Sequence, residues 1–129
     1  MTRKQILVMV LIIPLAGLIS GCVAAAIGAG AVGTAAFISG SMHAQEPANL
    51  EKVFNATVKA VDELGFMNVR VKKDVLTAVI TARNVENKKI KIKLSVEDVD
   101  VTKISIRVGT FGNKAQSRQI YSQIKKNLQ

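Results

Sequence analysis

The 129-residue sequence predicts an α+β fold, an antiparallel sheet of four to five strands packed on two helices. Three observations carry this. Apolar residues from Leu50 to Leu64 recur at helical spacing, four runs between Phe66 and Val108 alternate apolar with polar residues, and helical spacing returns from Asn113 to Leu128. The order is a first strand, a helix, four strands and a helix. Consecutive strands joined by short turns favour antiparallel pairing, with one sheet face covered by the helices.

The elements follow in order. Phe37 to Glu46 supplies the first strand, and Pro47 ends it. Asn49 is a helix N-cap and Glu51 suits the first turn. Leu50, Val53, Phe54, Thr57, Val58, Val61 and Leu64 form one stripe, with Lys52, Lys59, Asp62 and Glu63 off it. Gly65 stands at the C′ position, where a left-handed residue closes a helix. In the strand Phe66 to Lys72, Val69 and Val71 face inward; in the next, Leu76, Ala78, Ile80 and Ala82 do so. After a polar loop, Asn84 to Asn87, the strand Lys88 to Val96 points Ile90, Ile92, Leu94 and Val96 inward and Lys89, Lys91 and Lys93 outward. Glu97 to Asp100 turns the chain. Val101 to Val108 then points Ile104, Ile106 and Val108 inward, with Lys103, Ser105 and Arg107 outward. The last helix carries Ser117, Ile120, Tyr121, Ile124 and Leu128 on one face, and Lys125 and Lys126 suit its C-terminal dipole.

The outward face of this sheet is basic: Arg70, Lys72, Lys89, Lys91, Lys93, Lys103 and Arg107. The formal charge of the chain is +9. Such a surface suits an anionic partner such as a lipid headgroup, a lipopolysaccharide phosphate or an acidic protein. It also protects strands from edge-to-edge aggregation, the plainer explanation of the same lysines.

No catalytic or cofactor motif assembles. There is no phosphate-binding loop, no nucleophile elbow and no dinucleotide fingerprint, and Ala29 to Gly33 follows no strand. His43 is the sole histidine, and it reads as a surface residue. The acidic turn Glu97-Asp98-Val99-Asp100 lacks the glycine and terminal glutamate of a calcium loop. The expectation is a protein without enzymatic activity, metal or cofactor.

The N-terminus addresses the protein. Arg3 and Lys4 precede an apolar run, Ile6 to Ile19, the layout of a secretory signal peptide. Cys22 is the single cysteine, so no intramolecular disulfide forms. Ile19-Ser20-Gly21-Cys22 resembles the bacterial lipobox. That resemblance implies a diacylglyceryl group on Cys22, cleavage before it and acylation of the new amine. The expected organisation is a signal peptide over 1–21, a lipidated, small-residue tether over 22–41 and a globular domain over 42–129. Cleavage removes Arg3 and Lys4 and lowers the charge from +9 to +7. Several acyl chains on one residue make attachment effectively permanent, where a single chain gives marginal affinity. Secretion leaves nucleic acid an unsuitable partner despite the charge.

Val23 to Ser41 is uncharged and rich in Ala and Gly, with small residues four apart at Ala24/Gly28 and Ala29/Gly33. It reads as a flexible spacer or as a self-associating membrane segment, which would make the protein a structural homo-oligomer. With the signal uncleaved, the stretch Gln5 to Met42 has no formal charge and would span the inner membrane. A third reading is a carrier of a small hydrophobic ligand, with a pocket lined by Ile106, Ile120 and Ile124.

The run Ile104-Ser105-Ile106-Arg107-Val108-Gly109-Thr110-Phe111-Gly112, behind a lipobox and a small-residue segment, looks like a family of short bacterial lipoproteins of unknown function. Ala60, Leu64-Gly65 and the last helix fit that pattern. The resemblance implies an outer-membrane lipoprotein facing the periplasm. Val23 after the lipidated Cys, where Asp would favour inner-membrane retention, agrees. Within the run, Gly109 and Gly112 permit a turn, Phe111 is expected to plug the core, and Arg107 to cap or pair nearby. The order of elements, with Leu64-Gly65-Phe66 closing the first helix, is also similar to the helix-grip domains of a lipoprotein of the outer-membrane β-barrel assembly machinery.

Overall fold

The computed structural model describes residues 35–129. Eight elements follow one another: β1 (Ala35–Ile38), β2 (Ser41–Glu46), α1 (Leu50–Glu63), β3 (Met67–Lys73), β4 (Thr77–Arg83), β5 (Lys89–Asp98), β6 (Val101–Val108) and α2 (Lys114–Leu128). All six strands form one antiparallel sheet in the order β1-β2-β6-β5-β4-β3. The fold is α+β as expected, with six strands rather than four to five. The stretch expected to be one strand, Phe37 to Glu46, is a hairpin turning at Ser39-Gly40. The sheet therefore begins before residue 42, inside the stretch assigned to the tether.

The helices share one face of the sheet, and α1 and α2 pack on each other. Ala78, Ile80, Ala82, Ile90, Ile92, Leu94, Ile104, Ile106 and Val108 from the sheet meet Val53, Ala60, Val61, Ile120 and Ile124 from the helices, all buried. The core is aliphatic because the chain has four Phe, one Tyr and no Trp. At about 25 cal/mol per Å² of apolar surface removed from water, this layer is the main source of stability.

Local chemistry sets the helix ends. The Asn49 side chain accepts from Lys52 N (2.9 Å), and Asn113 does the same from Gln116 N (3.0 Å). Gly65 closes α1 at φ +70°. The inward face of α1 is smaller than its periodicity suggested. Ala56, Thr57 and Ala60 are buried while Val58 lies at the rim, which lets α1 and α2 approach closely.

Three expectations are corrected along β3, β4 and β5. Val69 and Val71 are 45% and 44% exposed, because β3 is the edge strand and among the described residues pairs only with β4. A bulge between Met67 and Arg70, with Asn68 at φ +53°, twists that edge further. Leu76 lies in the turn before β4 and faces water. Val96 is likewise exposed, beside the irregularity that ends β5.

Candidate functional site

Cross-strand pairs point to the same side of a sheet, so the register defines the face turned away from the helices. One row runs Ile38–Ser41–Arg107–Lys91–Thr81–Arg70, and the next Ala36–His43–Ser105–Lys93–Val79–Lys72. Lys103 lies opposite Gln45 and Ser95, and Lys89 opposite Arg83. All seven basic residues expected on this face are on it. Arg83 joins them, a residue not expected there because it ends its strand. In the ladders one acid shares this face, Asp98 opposite Val101 at the far end, and among the described residues no carboxylate lies within ion-pair distance of Arg70, Lys72, Lys89, Lys91, Lys93 or Lys103.

The face is not uniform. Arg83, Lys88, Lys89, Lys91 and Arg107 line an open recess of about 760 Å³ at one end, closed on its far side by Thr110 and Phe111. Glu97 and Asp98 at the end of β5 and Asp100 in the β5–β6 turn stand at the opposite end, and Asp74 in the β3–β4 connection. The cations also differ in freedom. The Arg83 guanidinium donates to the Asn87 carbonyl at 2.8 Å, and Lys88 pairs with Glu86 at 3.1 Å. Among the described residues, nothing engages Lys89, Lys91 and Lys93 on β5 in this way.

Arg107 is committed to structure. Its Nη1 donates to the Ser39 carbonyl at 2.9 Å and reaches Ser41 Oγ at 3.4 Å, and its Nη2 donates to the Thr110 carbonyl. It therefore ties the β1–β2 turn to the loop before α2. Lys91 is the like charge directly across the ladder. The same loop overturns the expectation for Phe111, which is 92% exposed. The backbone of this loop, not its aromatic side chain, is packed against the protein. A Cβ on Gly40 would stand 2.7 Å from the Phe111 carbonyl oxygen, and one on Gly112 would stand 2.6 Å from Gly40 Cα.

A second polar cluster is internal and was not anticipated. Glu46, 4% exposed, faces the core from β2 and accepts a hydrogen bond from the Tyr121 hydroxyl. Burial first, then this bond and the Glu46 charge, push the Tyr121 phenol above its ordinary range. Thr102, opposite Glu46 in the ladder, donates to the Ala48 carbonyl at 2.8 Å. This cluster pins the β2–α1 connection under α2.

Other expectations are located as follows. His43 is half-buried on the basic face opposite Ser105, and its Nδ1 has no partner among the described residues. Among the described residues there is no group of three or more His, Cys, Asp or Glu placed to hold a metal ion, and no helix is long and apolar enough to cross a membrane. Ile106, Ile120 and Ile124, the expected lining of a ligand pocket, are packed into the core. A recess of about 160 Å³ lies instead between Phe66, Val85 and Gln116, touching Ile120 at its rim. Cys22 and the small-residue stretch up to residue 34 lie outside the described residues.

The sequence matches a family described as "Protein of unknown function (DUF3568)" over residues 5–127. The chain belongs to this family. The matched region takes in both the N-terminal apolar stretch and nearly all of the α+β domain, the Arg107–Gly112 loop and the basic face included. No curated protein matches the chain.

Proposed function

We propose that this chain is a non-enzymatic lipoprotein of the bacterial cell envelope. It is held at the periplasmic side of the outer membrane by lipid on Cys22, and it engages an anionic envelope component through its basic sheet face. The fold is read as helix-grip-like, with two helices held on one side of an antiparallel sheet. The anionic component is a phospholipid or lipopolysaccharide headgroup, or an acidic protein surface. The observation that carries the reading is the separation of charge: one sheet face bears six cations free of carboxylate partners among the described residues, and the helices leave it bare. Cations dominate this face, with Asp98 only at its far end, and such a surplus of one sign concentrates anions and repels cations.

Calorimetric titration of the detergent-solubilised full chain with anionic lipid micelles tests the reading. A cation near an anionic surface contributes about 1 kcal/mol. Changing Lys89, Lys91 and Lys93 together to Gln is therefore expected to weaken binding by about two orders of magnitude. Raised salt should weaken the parent and affect the triple variant less. Equal binding by parent and variant at low and high salt would remove the basis of the proposal.

A further inference from the structure

The recess end of the sheet carries more than charge. Phe111 is 92% exposed on the loop after β6, and Val85 is 85% exposed on the β4–β5 loop. Both loops are at the same end, since Ile90 at the start of β5 pairs with Val108 at the end of β6. Both are held in place. Asn84 Oδ1 accepts from Glu86 N (3.0 Å) and Lys88 N (2.9 Å), and Asn84 Nδ2 donates to Gln116. The Phe111 loop is fixed by Arg107 and by its contact with Gly40. Two apolar side chains are thus presented to water on ordered supports, with Arg83, Lys88, Lys89 and Lys91 beside Phe111 around the recess.

The opposite end provides the contrast. Val99 and Val75 are also exposed there, at 84% and 83%, but Asp74, Glu97, Asp98 and Asp100 stand near them in the chain against Lys72 and Lys73, whereas the first end has Glu86 alone among its cations. An anionic bilayer therefore favours the first end over the second. We propose that the Phe111 end is a membrane-insertion edge: phospholipid phosphates settle at Lys89 and Lys91, while Phe111 and Val85 enter the boundary between headgroups and acyl chains. The surface takes one partner, an anionic phospholipid bilayer. The inference deepens the proposed function, because it assumes that the basic face meets the membrane to which Cys22 is tethered. The 13 residue-to-residue steps from Cys22 to Ala35 reach at most about 45 Å when extended, enough for either end of a small domain to touch the surface.

The chain contains no Trp, so one introduced Trp is a clean reporter. Phe111→Trp and Val99→Trp, each made in the full chain, are reconstituted into phosphatidylglycerol-containing and into purely phosphatidylcholine vesicles. The expected result is a blue-shifted emission from Phe111→Trp, quenched by brominated acyl chains, in the anionic vesicles alone. Val99→Trp should emit as a water-exposed indole in both. Water-exposed emission from Phe111→Trp in anionic vesicles, or equal quenching at both positions, would overturn the insertion edge. Chemical labelling of Lys89, Lys91 and Lys93 in the same vesicles separates the two levels. Protected lysines together with a water-exposed indole in the Phe111→Trp chain refute insertion and leave the basic-face reading standing, whereas reactive lysines refute both.

Discussion

Gly112 lies against Gly40 so closely that neither has room for a side chain: a Cβ on Gly112 would fall 2.6 Å from Gly40 Cα. Both residues also sit in left-handed backbone, at φ +86° and +81°. This contact joins the first turn of the sheet to the loop before the last helix. Gly112→Ala combines left-handed strain with overpacking, each worth about 1–3 kcal/mol, and should destabilise the full chain by about 2–6 kcal/mol. Chemical unfolding in mild detergent, followed by circular dichroism, measures it. A loss below about 0.5 kcal/mol, the size of an ordinary surface change, would show that the contact is not close in solution.

Arg107 supports the same junction through three acceptors on two loops. A lysine keeps the charge and loses the planar fork. Arg107→Lys should therefore cost about 1–3 kcal/mol of stability and leave anionic-lipid binding close to that of the parent. The opposite pattern, unchanged stability with weakened binding, would move Arg107 from the scaffold to the binding face.

Tyr121 is the only tyrosine, so phenolate absorbance reports on it alone. Its folded pKa is raised above the ordinary 10.0 by burial and by the Glu46 carboxylate that accepts its hydrogen bond. A raised folded value means the stabilisation is full below the unfolded pKa and fades as pH climbs above it toward the folded one. The folded chain should thus show no phenolate as pH passes about 10, and stability should fall across the alkaline range beyond it. A tyrosine titrating near its ordinary value in the folded chain would contradict the buried pair.

Glu63 behaves in the opposite sense. Hydrogen bonds from Asn127 and Gln123, with smaller help from Lys59 and Lys126, hold its carboxyl below the ordinary 4.5. Its contribution is present above the unfolded value and is lost as pH falls through the depressed folded one. Glu63→Gln should be less stable than the parent at neutral pH, and the difference should vanish in acid. A difference that persists unchanged at low pH would assign the effect to packing between α1 and α2.

The parts of the fold that were legible in the sequence are those where a local pattern mirrors a buried surface. Ile90, Ile92 and Leu94 alternate with Lys89, Lys91 and Lys93 because one face of β5 is covered and the other is bare, so the strand and the candidate site were read together. Asn49 and Gly65 marked the ends of α1 because capping is chemistry within a few residues. The β1–β2 hairpin was hidden because Ala35 to Gly40 continues the small-residue composition of the tether. As an edge strand, β1 also needs backbone pairing more than apolar side chains. Phe111 was misplaced because aromatic residues are usually buried, and what reverses this is a contact with Gly40, 71 positions earlier. Glu46 ends its strand in the sequence, and its partner Tyr121 is 75 residues away, a pairing that no local period encodes.

The central claim is that the lysine face of the sheet, not the helix face, meets the anionic surface. Amine-reactive labelling of the full chain, read lysine by lysine by mass spectrometry, tests it most directly in anionic vesicles at low and high salt. Lys89, Lys91, Lys93 and Lys103 should be protected at low salt and become reactive at high salt, while Lys52 and Lys59 on the exposed side of α1 stay reactive throughout. Uniform reactivity of both sets, or protection of Lys52 and Lys59 instead, would contradict the account.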